Sequence, residues 1–191
     1  NINKKLMKNI NILWFKKDLR IEDNEALYES LKDNDILPIY IFELEVWNQK
    51  THSRRQWQFC KESVLDLRNA LSKKGQPLII RTGNVIDIFE EINSKFEIKG
   101  IFSHQETGDW LTYKRDQEVK FWALNKKIIW KEYLQFSVFR GNFNRDNWSK
   151  KWGENVKREL IKEPIKINPI DFDIGEIPEE KIFFFKKDEC P

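Results

Sequence analysis

The sequence is poor in cysteine and contains no long apolar run. Only two of its 191 residues are cysteines, Cys60 and Cys190, and their separation does not suit a metal-binding pair. We therefore expect free thiols in a reducing compartment rather than a disulfide framework. No stretch approaches the roughly 18 apolar residues of a membrane-spanning helix, and no secretory h-region is visible. The expected location is the cytoplasm, with no membrane partner.

The sequence also lacks a strong excess of charge of either sign. Its 34 basic and 31 acidic residues leave a net charge of +3, which describes a solvated surface and does not favour nucleic-acid binding. About 40% of the residues are apolar, with eight tryptophans and fourteen phenylalanines. This composition and length predict one domain with a substantial core, plus an appendage.

Several common catalytic and nucleotide-binding motifs are missing. The sequence contains no glycine-rich dinucleotide motif, no P-loop, no H-E-x-x-H motif and no G-x-S-x-G motif. The two histidines, His52 and His104, are too far apart to indicate a site by spacing, and each is expected to be exposed or hydrogen-bonded. We therefore predict no metal site and no complete catalytic site in this chain.

The sequence opens with a buried strand, a charged loop and the start of a helix. Ile12–Phe15 is an apolar run that suits a strand covered on both faces. After the charged loop, Asp23 or Asn24 offers a side-chain oxygen to cap a helix that begins near Glu25. This order is typical of a doubly wound α/β domain, in which the loop after the first strand borders the ligand crevice.

Strands and helices continue to alternate through residue 131. The clearest helix is predicted over Ser53–Lys74, where apolar residues recur every three or four positions and Gly75 follows. Further strands are predicted at 36–42, 77–80, 99–103 and 127–131, with a turn at 81–83 and helices after residue 84 and over 112–125. The alternation predicts an α/β, Rossmann-like fold with five parallel strands and helices on both faces.

Predicted burial of the aromatic residues gives a second test of this fold. Regular elements hold four tryptophans that we expect in the core: Trp14, Trp57, Trp122 and Trp130. The helix at 112–125 is expected to bury Tyr113, Val119, Phe121 and Trp122.

Beyond the sheet, a further helix is predicted at 147–161. In the proline-containing tail beyond it, Ile182–Phe185 is expected to pack back on the domain.

The segment Trp14–Leu27 reads WFKKDLRIEDNEAL and resembles the opening signature of the DNA photolyase and cryptochrome family. The family pattern is W-F-R-R-D-L-R-x-x-D-N-x-A-L, and its two loop arginines are lysines here. The resemblance implies a photolyase-type α/β antenna domain at 8–135, a helical extension at 136–161 and an interdomain connector or tail at 162–191. It also implies that the family's helical FAD-binding domain is absent from these 191 residues.

Two loops form the candidate cofactor-binding site, because the carboxyl ends of parallel strands share one edge of a sheet. The resemblance implies that Lys17, Asp18 and Arg20 of the first loop, and Gln105 and Glu106 of the second, border an antenna pigment. A structural interpretation remains open. In it, Asp18 and Arg20 pair with each other or with neighbouring backbone, and Glu106 is a solvated carboxylate.

The resemblance implies an antenna chromophore of the deazaflavin, flavin or folate type, while FAD would be held only by the missing domain. Folate is doubtful, because alignment on Arg115-Asp116 puts Leu111-Thr112 where folate-binding members carry Asn-Glu. The implied partner is the FAD-binding helical domain, in cis or as a separate chain, and damaged DNA would be reached only through it. Carbon–carbon lyase activity is therefore not expected of this chain alone.

Three functions remain open at this point. The chain is expected to be the light-harvesting domain of a deoxyribodipyrimidine photolyase-like, blue-light DNA-repair protein. A cryptochrome-like light-sensing or interaction module without repair activity is an alternative. So is a freestanding nucleotide-binding α/β domain, although the lack of a glycine-rich phosphate loop argues against it.

Overall fold

A computed structural model describes residues 7–135 and 148–185 of the chain. The strands are β1 (Asn9–Phe15), β2 (Asp35–Phe42), β3 (Ile79–Thr82), β4 (Glu97–His104) and β5 (Ile129–Tyr133). They form one parallel sheet in the order β3-β2-β1-β4-β5. Because the strand order reverses direction beside β1, the carboxyl ends of the central strands border a crevice.

Four of the six α-helices of the described residues begin at a capping side chain. The six are α1 (Glu25–Ser30), α2 (Leu44–Trp47), α3 (Arg54–Lys74), α4 (Val85–Lys95), α5 (Trp110–Lys126) and α6 (Trp148–Val156). Asn24 Oδ1 accepts from the Leu27 N–H at 2.8 Å, and Asn84 caps α4 in the same way. Ser53 and Gln56 form a capping box at α3, which Gly75 ends in the left-handed conformation.

Alternate residues of the central strand face two separate cores. Ile12 and Trp14 pack towards α4 and α5, whereas Leu13 and Phe15 pack towards α1 and α3. A strand covered on both faces accounts for the unbroken apolar run in the sequence. The predicted Rossmann-like, five-stranded parallel α/β fold is therefore confirmed.

Several local predictions were wrong. The predicted turn at 81–83 begins too early, because Arg81 and Thr82 complete β3. The short helix α2 was not among the predicted elements. On α5, Tyr113 and Phe121 are 44% and 68% exposed, while Val119 and Trp122 are buried. Polar residues occupy part of the inward face of α5, so apolarity alone did not identify the buried side.

The predicted burial of the tryptophans holds for three of the four. Trp14, Trp57 and Trp122 are buried, and Trp130 is partly buried against the same core. The predicted helix at 147–161 is shorter, ending at Val156, and α6 has no buried residue. Residues 136–147, Cys190 and the end of the tail lie outside the described residues.

The C-terminal segment 161–185, which we call the strap, runs back over the α/β domain. The Ile167 N–H donates to Lys74 O at 2.7 Å, and the Ile170 N–H donates to the buried Gln76 side chain at 2.6 Å. Near the end of the strap, Phe183 is buried as predicted, whereas Phe184 is 80% exposed. The strap therefore contributes to the domain core.

Gly175 is a point where the strap approaches β3 too closely for a side chain. Its φ is +63°, and a Cβ there would overlap the carbonyl oxygen of Ile80 and lie 2.6 Å from Arg81 Nη1. We expect Gly175→Ala to lower the free energy of unfolding by about 2 kcal/mol or more, because both the backbone and the packing oppose it. Urea unfolding measures the change.

Gly153 in α6 provides the matched control, because an added Cβ there meets no heavy atom within 4 Å. Gly153→Ala should be neutral or stabilising by up to about 1 kcal/mol, as expected for the better helix former. Equal effects of the two substitutions would contradict the close approach of the strap to β3.

Candidate functional site

A cavity of about 360 Å³ opens at the carboxyl ends of β1 and β2. Its volume is in the range of small-molecule sites. One end is polar, where Glu106 and Arg115 reach it from the loop after β4 and from α5. Most of the remaining wall is apolar, and it is formed by Phe15, Leu19, Ile41, Val46, Trp47 and Phe59.

Arg115 is the centre of the polar end. It directs four hydrogen bonds at three carboxylates. Its Nη1 lies 2.5 Å from Glu43 Oε1, and its Nη2 lies 2.7 Å from Glu106 Oε2 and 2.8 Å from Asp116 Oδ1. Burial lowers the pKa of Arg115, but the three carboxylates outweigh it and raise the pKa overall. The guanidinium is thus charged and fixed in place.

Lys16 is a second buried cation beside the cavity. Its Nζ lies 3.0 Å from Asp116 Oδ1 and 4.3 Å from the centre of the Trp14 ring, which also packs against the Arg115 guanidinium at 4.8 Å. Burial is the main cause that lowers the pKa of Lys16, and Asp116 opposes it. Two cations therefore flank Trp14, a residue of the cavity wall.

Of the predicted site residues, only two line the cavity. Lys17 is 56% exposed on its side chain, and its Nζ lies 3.1 Å from Glu106 Oε1. Glu106 is buried, so its interpretation as a solvated loop carboxylate was wrong. The structure brings the two predicted loops together at this ion pair.

The other three predicted residues do not line the cavity. Asp18 is buried and accepts from His104 Nδ1 at 2.6 Å and from the Lys16 backbone N–H at 3.0 Å. Arg20 donates to the carbonyl oxygens of Glu22 and Asp23, each at 3.1 Å, as in the structural interpretation. Gln105 is partly buried, and its Oε1 has no partner among the described residues. Asp18 therefore fixes the first loop to β4.

Sequence reasoning missed Glu43 as a candidate site residue. Glu43 follows β2 directly, so the same edge-of-sheet argument that selected Lys17 would have found it. Arg115 was noticed in the resemblance but was not selected, since it lies on a helix rather than at a strand end. Residues from α2 and α3 also line the cavity, among them Trp47, His52, Gln56 and Cys60.

The titratable groups of the cavity are mostly uncharged or paired. Tyr40 Oη and Cys60 Sγ lie 3.1 Å apart. Burial raises the pKa of Tyr40 well above its usual value and that of Cys60 to about 11, so both are protonated near neutrality. Burial also raises the pKa of Glu43 to about 7, although Arg115 opposes the shift.

The apolar wall and the charged end of the cavity together suit binding of a flat, largely apolar molecule with one polar edge.

Replacing Glu43 with glutamine should raise the free energy of unfolding at pH 8 by about 1–3 kcal/mol. The folded-state pKa of Glu43 is raised from 4.5 to about 7, so its carboxyl favours the fold only while neutral. That contribution is complete below about pH 4.5 and is lost as the pH rises to about 7. Glutamine stays neutral and retains an oxygen for Arg115. Chemical denaturation at pH 5 and 8 measures the effect.

Glu45→Gln is the control, because Glu45 lies exposed two residues away and outside the cavity wall. It should leave the pH dependence of stability unchanged. A loss of stability in Glu43→Gln at pH 8 would show that the ionised pair with Arg115 is favourable overall.

Neither a membrane span nor a metal cluster is found in the described ranges. Within residues 7–135 and 148–185, no helix has the length and apolarity needed to cross a bilayer. The same residues include no group of three His, Cys, Asp or Glu side chains that could hold a metal ion.

Comparison with known proteins gives consistent results. Residues 11–140 match the family model described as DNA photolyase. The chain is 36% identical over 108 residues to "Cryptochrome DASH, chloroplastic/mitochondrial" of Arabidopsis thaliana, which covers 52% of this chain and 19% of that protein. The chain thus spans about a fifth of that relative's length.

Two solved structures show the same fold at low sequence identity. The cryptochrome of Synechocystis sp. PCC6803 has a TM-score of 0.76 and 20% identity, over 94% of this chain and 41% of that one. The archaeal photolyase from Sulfolobus tokodaii, described with two FAD molecules and a novel light-harvesting cofactor, has a TM-score of 0.66 and 22% identity. That match covers 85% of this chain and 38% of the solved one.

Proposed function

The chain belongs to the DNA photolyase family, and from this premise we propose that it is the light-harvesting domain of a blue-light DNA-repair protein. In this proposal the cavity at the carboxyl ends of β1 and β2 holds an antenna pigment. The single observation that carries it is the combination of an apolar cavity of about 360 Å³ with one charged, hydrogen-bonding end.

The residues present fit a flat tricyclic ring. Trp47 and Phe59 offer apolar surface for the faces of the ring, while Glu43 and Glu106 offer oxygens for its polar edge. When bound, such a pigment supplies absorption of blue light and transfer of the excitation energy. The work of the chain is to bind the ring, hold its orientation and exclude water. The two FAD molecules described for the archaeal photolyase support a flavin over a folate as the pigment.

The rest of the proposed function depends on a second domain. The chain matches only 19% of the Arabidopsis relative and 41% of the Synechocystis structure, and residues 162–191 are proposed to lead to the FAD-binding helical domain, in cis or as a separate partner. Damaged DNA is proposed to be reached through that domain only. The cytoplasmic location expected from the sequence stays a prediction.

Pigment binding by the purified chain tests the proposal. Fluorescence anisotropy of lumiflavin should rise to a plateau at one pigment per chain. Cys60→Phe, which adds a ring to the cavity wall, should abolish binding. Glu62→Phe adds the same ring two residues further along α3, on an exposed residue outside the wall, and should bind as the unchanged chain does. Absence of binding by flavins and deazaflavins would reject the proposal.

A cryptochrome-like function without repair is the second candidate, favoured by the names of the Arabidopsis and Synechocystis proteins. Dimer-containing DNA, FAD and blue light distinguish the possibilities. The isolated chain should repair nothing, and efficient repair by it would contradict the proposed division between two domains. When the chain is joined to a helical FAD-binding domain, repair of the DNA would indicate a photolyase, and absence of repair would indicate a light sensor.

A further inference from the structure

Only one of the two carboxylate oxygens of Glu43 accepts a hydrogen bond from a described residue. Its Oε1 is bound to Arg115 Nη1, and its side chain is 16% exposed in the cavity wall. Its Oε2 accepts no hydrogen bond from any described residue. A carboxylate oxygen in a largely apolar site favours a ligand that donates a hydrogen bond to it.

The cations of the polar end are already engaged with carboxylates. Arg115 uses four of its five N–H groups on Glu43, Glu106 and Asp116, and Lys16 is held by Asp116 and Glu132. Lys17, at the exposed mouth, pairs with Glu106. An anionic ring or phosphate placed deep in the cavity would therefore compete with existing ion pairs.

We propose that Glu43 is a specificity-determining residue that accepts a hydrogen bond from an uncharged ring N–H, so that the cavity selects neutral imide rings over anionic ones. This inference rests on the proposed function, since it names the edge of the pigment that the cavity recognises. The ring would enter with its imide edge towards Glu43 and its hydrocarbon edge towards α2 and α3.

Protonation of Glu43 should reverse the preference for a ring that donates a hydrogen bond. Because Oε1 accepts from Arg115, protonation places the hydrogen on Oε2, which then becomes a donor facing the ring N–H. The groups facing Glu43 are Arg115, Glu106, Lys16 and Tyr40, with Lys17, His52 and Cys60 across the cavity. Tyr40 and Cys60 stay protonated in this range, and burial lowers the pKa of His52. Among these groups, Glu43 is therefore the one whose charge changes most between pH 6 and pH 8.

Two flavins that differ by one methyl group test the inference. Lumiflavin has a ring N3–H, and 3-methyllumiflavin has none, while both are neutral between pH 6 and pH 8. With a Glu43 pKa near 7, the ionised fraction changes about tenfold over this interval, so lumiflavin should bind about tenfold more tightly at pH 8. 3-Methyllumiflavin should bind more weakly at pH 8 and with no pH dependence.

Glu43→Gln should bind lumiflavin with the same affinity at pH 6 and pH 8. That affinity should match the weaker one of the unchanged chain at pH 6, because the amide presents N–H groups where the carboxylate presented an oxygen. Glu45→Gln should retain the tenfold pH dependence. Equal binding of the two flavins at pH 8, or tighter lumiflavin binding at pH 6, would overturn the role of Glu43 and leave pigment binding standing. If neither flavin binds the unchanged chain, the proposed function fails as well.

Discussion

Asp18→Ala should lower the free energy of unfolding at pH 7 by about 2–5 kcal/mol, because it removes a buried acceptor that serves two buried donors. Asp18 and His104 are both buried, and Asp18 Oδ2 lies 2.6 Å from His104 Nδ1. The substitution leaves that ring nitrogen and the Lys16 backbone N–H without their acceptor. Because these bonds join the first loop to β4, the cavity should also lose its shape.

The pH dependence of the free energy of unfolding shows whether the Asp18 carboxylate is the source of this stabilisation. Burial by itself raises the pKa of Asp18, but the hydrogen bond from His104 and those from backbone N–H groups outweigh it and hold the pKa below 3.8. The stabilisation is therefore complete above about pH 3.8 and is lost as the pH falls through the lowered folded-state pKa. Asp18→Ala should lack this acid-dependent loss in urea titrations between pH 2 and pH 7.

Two further variants control for this result. Asp33→Ala removes an exposed carboxylate and should change stability by less than about 0.5 kcal/mol. Asp18→Asn keeps an oxygen for the Lys16 N–H and should be less damaging than alanine. An Asp18→Ala chain as stable as the Asp33→Ala chain would contradict the assigned pairing.

Phe183→Ala should cost about 3–4 kcal/mol, the usual range for emptying the site of a buried phenylalanine. The Phe183 ring packs against Phe42, Trp47 and Trp57, with centroid separations of 6.4, 6.0 and 6.1 Å. Trp47 also belongs to the cavity wall, so the substitution should weaken lumiflavin binding as well. Thermal unfolding and anisotropy measure the two effects.

The neighbouring residue gives a control of identical chemistry. Phe184→Ala removes a ring that is 80% exposed and should change stability by less than about 0.5 kcal/mol. Similar losses in the two variants would mean that the strap is held by something other than burial of Phe183.

The fold was predictable because its cause is local. Apolar runs such as Ile12–Phe15 and the three-to-four spacing in α3 specify their elements without distant partners. The end of the strap was foreseen only in part, since whether Phe183 or Phe184 turns inward depends on a gap between α2 and α3. That gap is a property of the packed domain and has no signature in the tail itself.

The site was predictable to the level of its loops but not its side chains. The edge-of-sheet argument placed Lys17 and Glu106 together, and the ion pair between them confirms that juxtaposition. It could not tell that Asp18, one residue later, turns away to His104. Arg115 was noticed but not selected as a site residue, because its position depends on how α5 packs. Periodicity misjudged the same packing for Tyr113 and Phe121.

The strap has a consequence for the outer boundary of the sheet. β3 lies at one end of the strand order, and the Ile80 N–H donates to Ile174 O of the strap at 2.9 Å. An uncovered border strand offers its backbone to any other chain and promotes self-association. Shortening the protein before residue 174 would expose that border, so such fragments should precipitate even if every strand still forms.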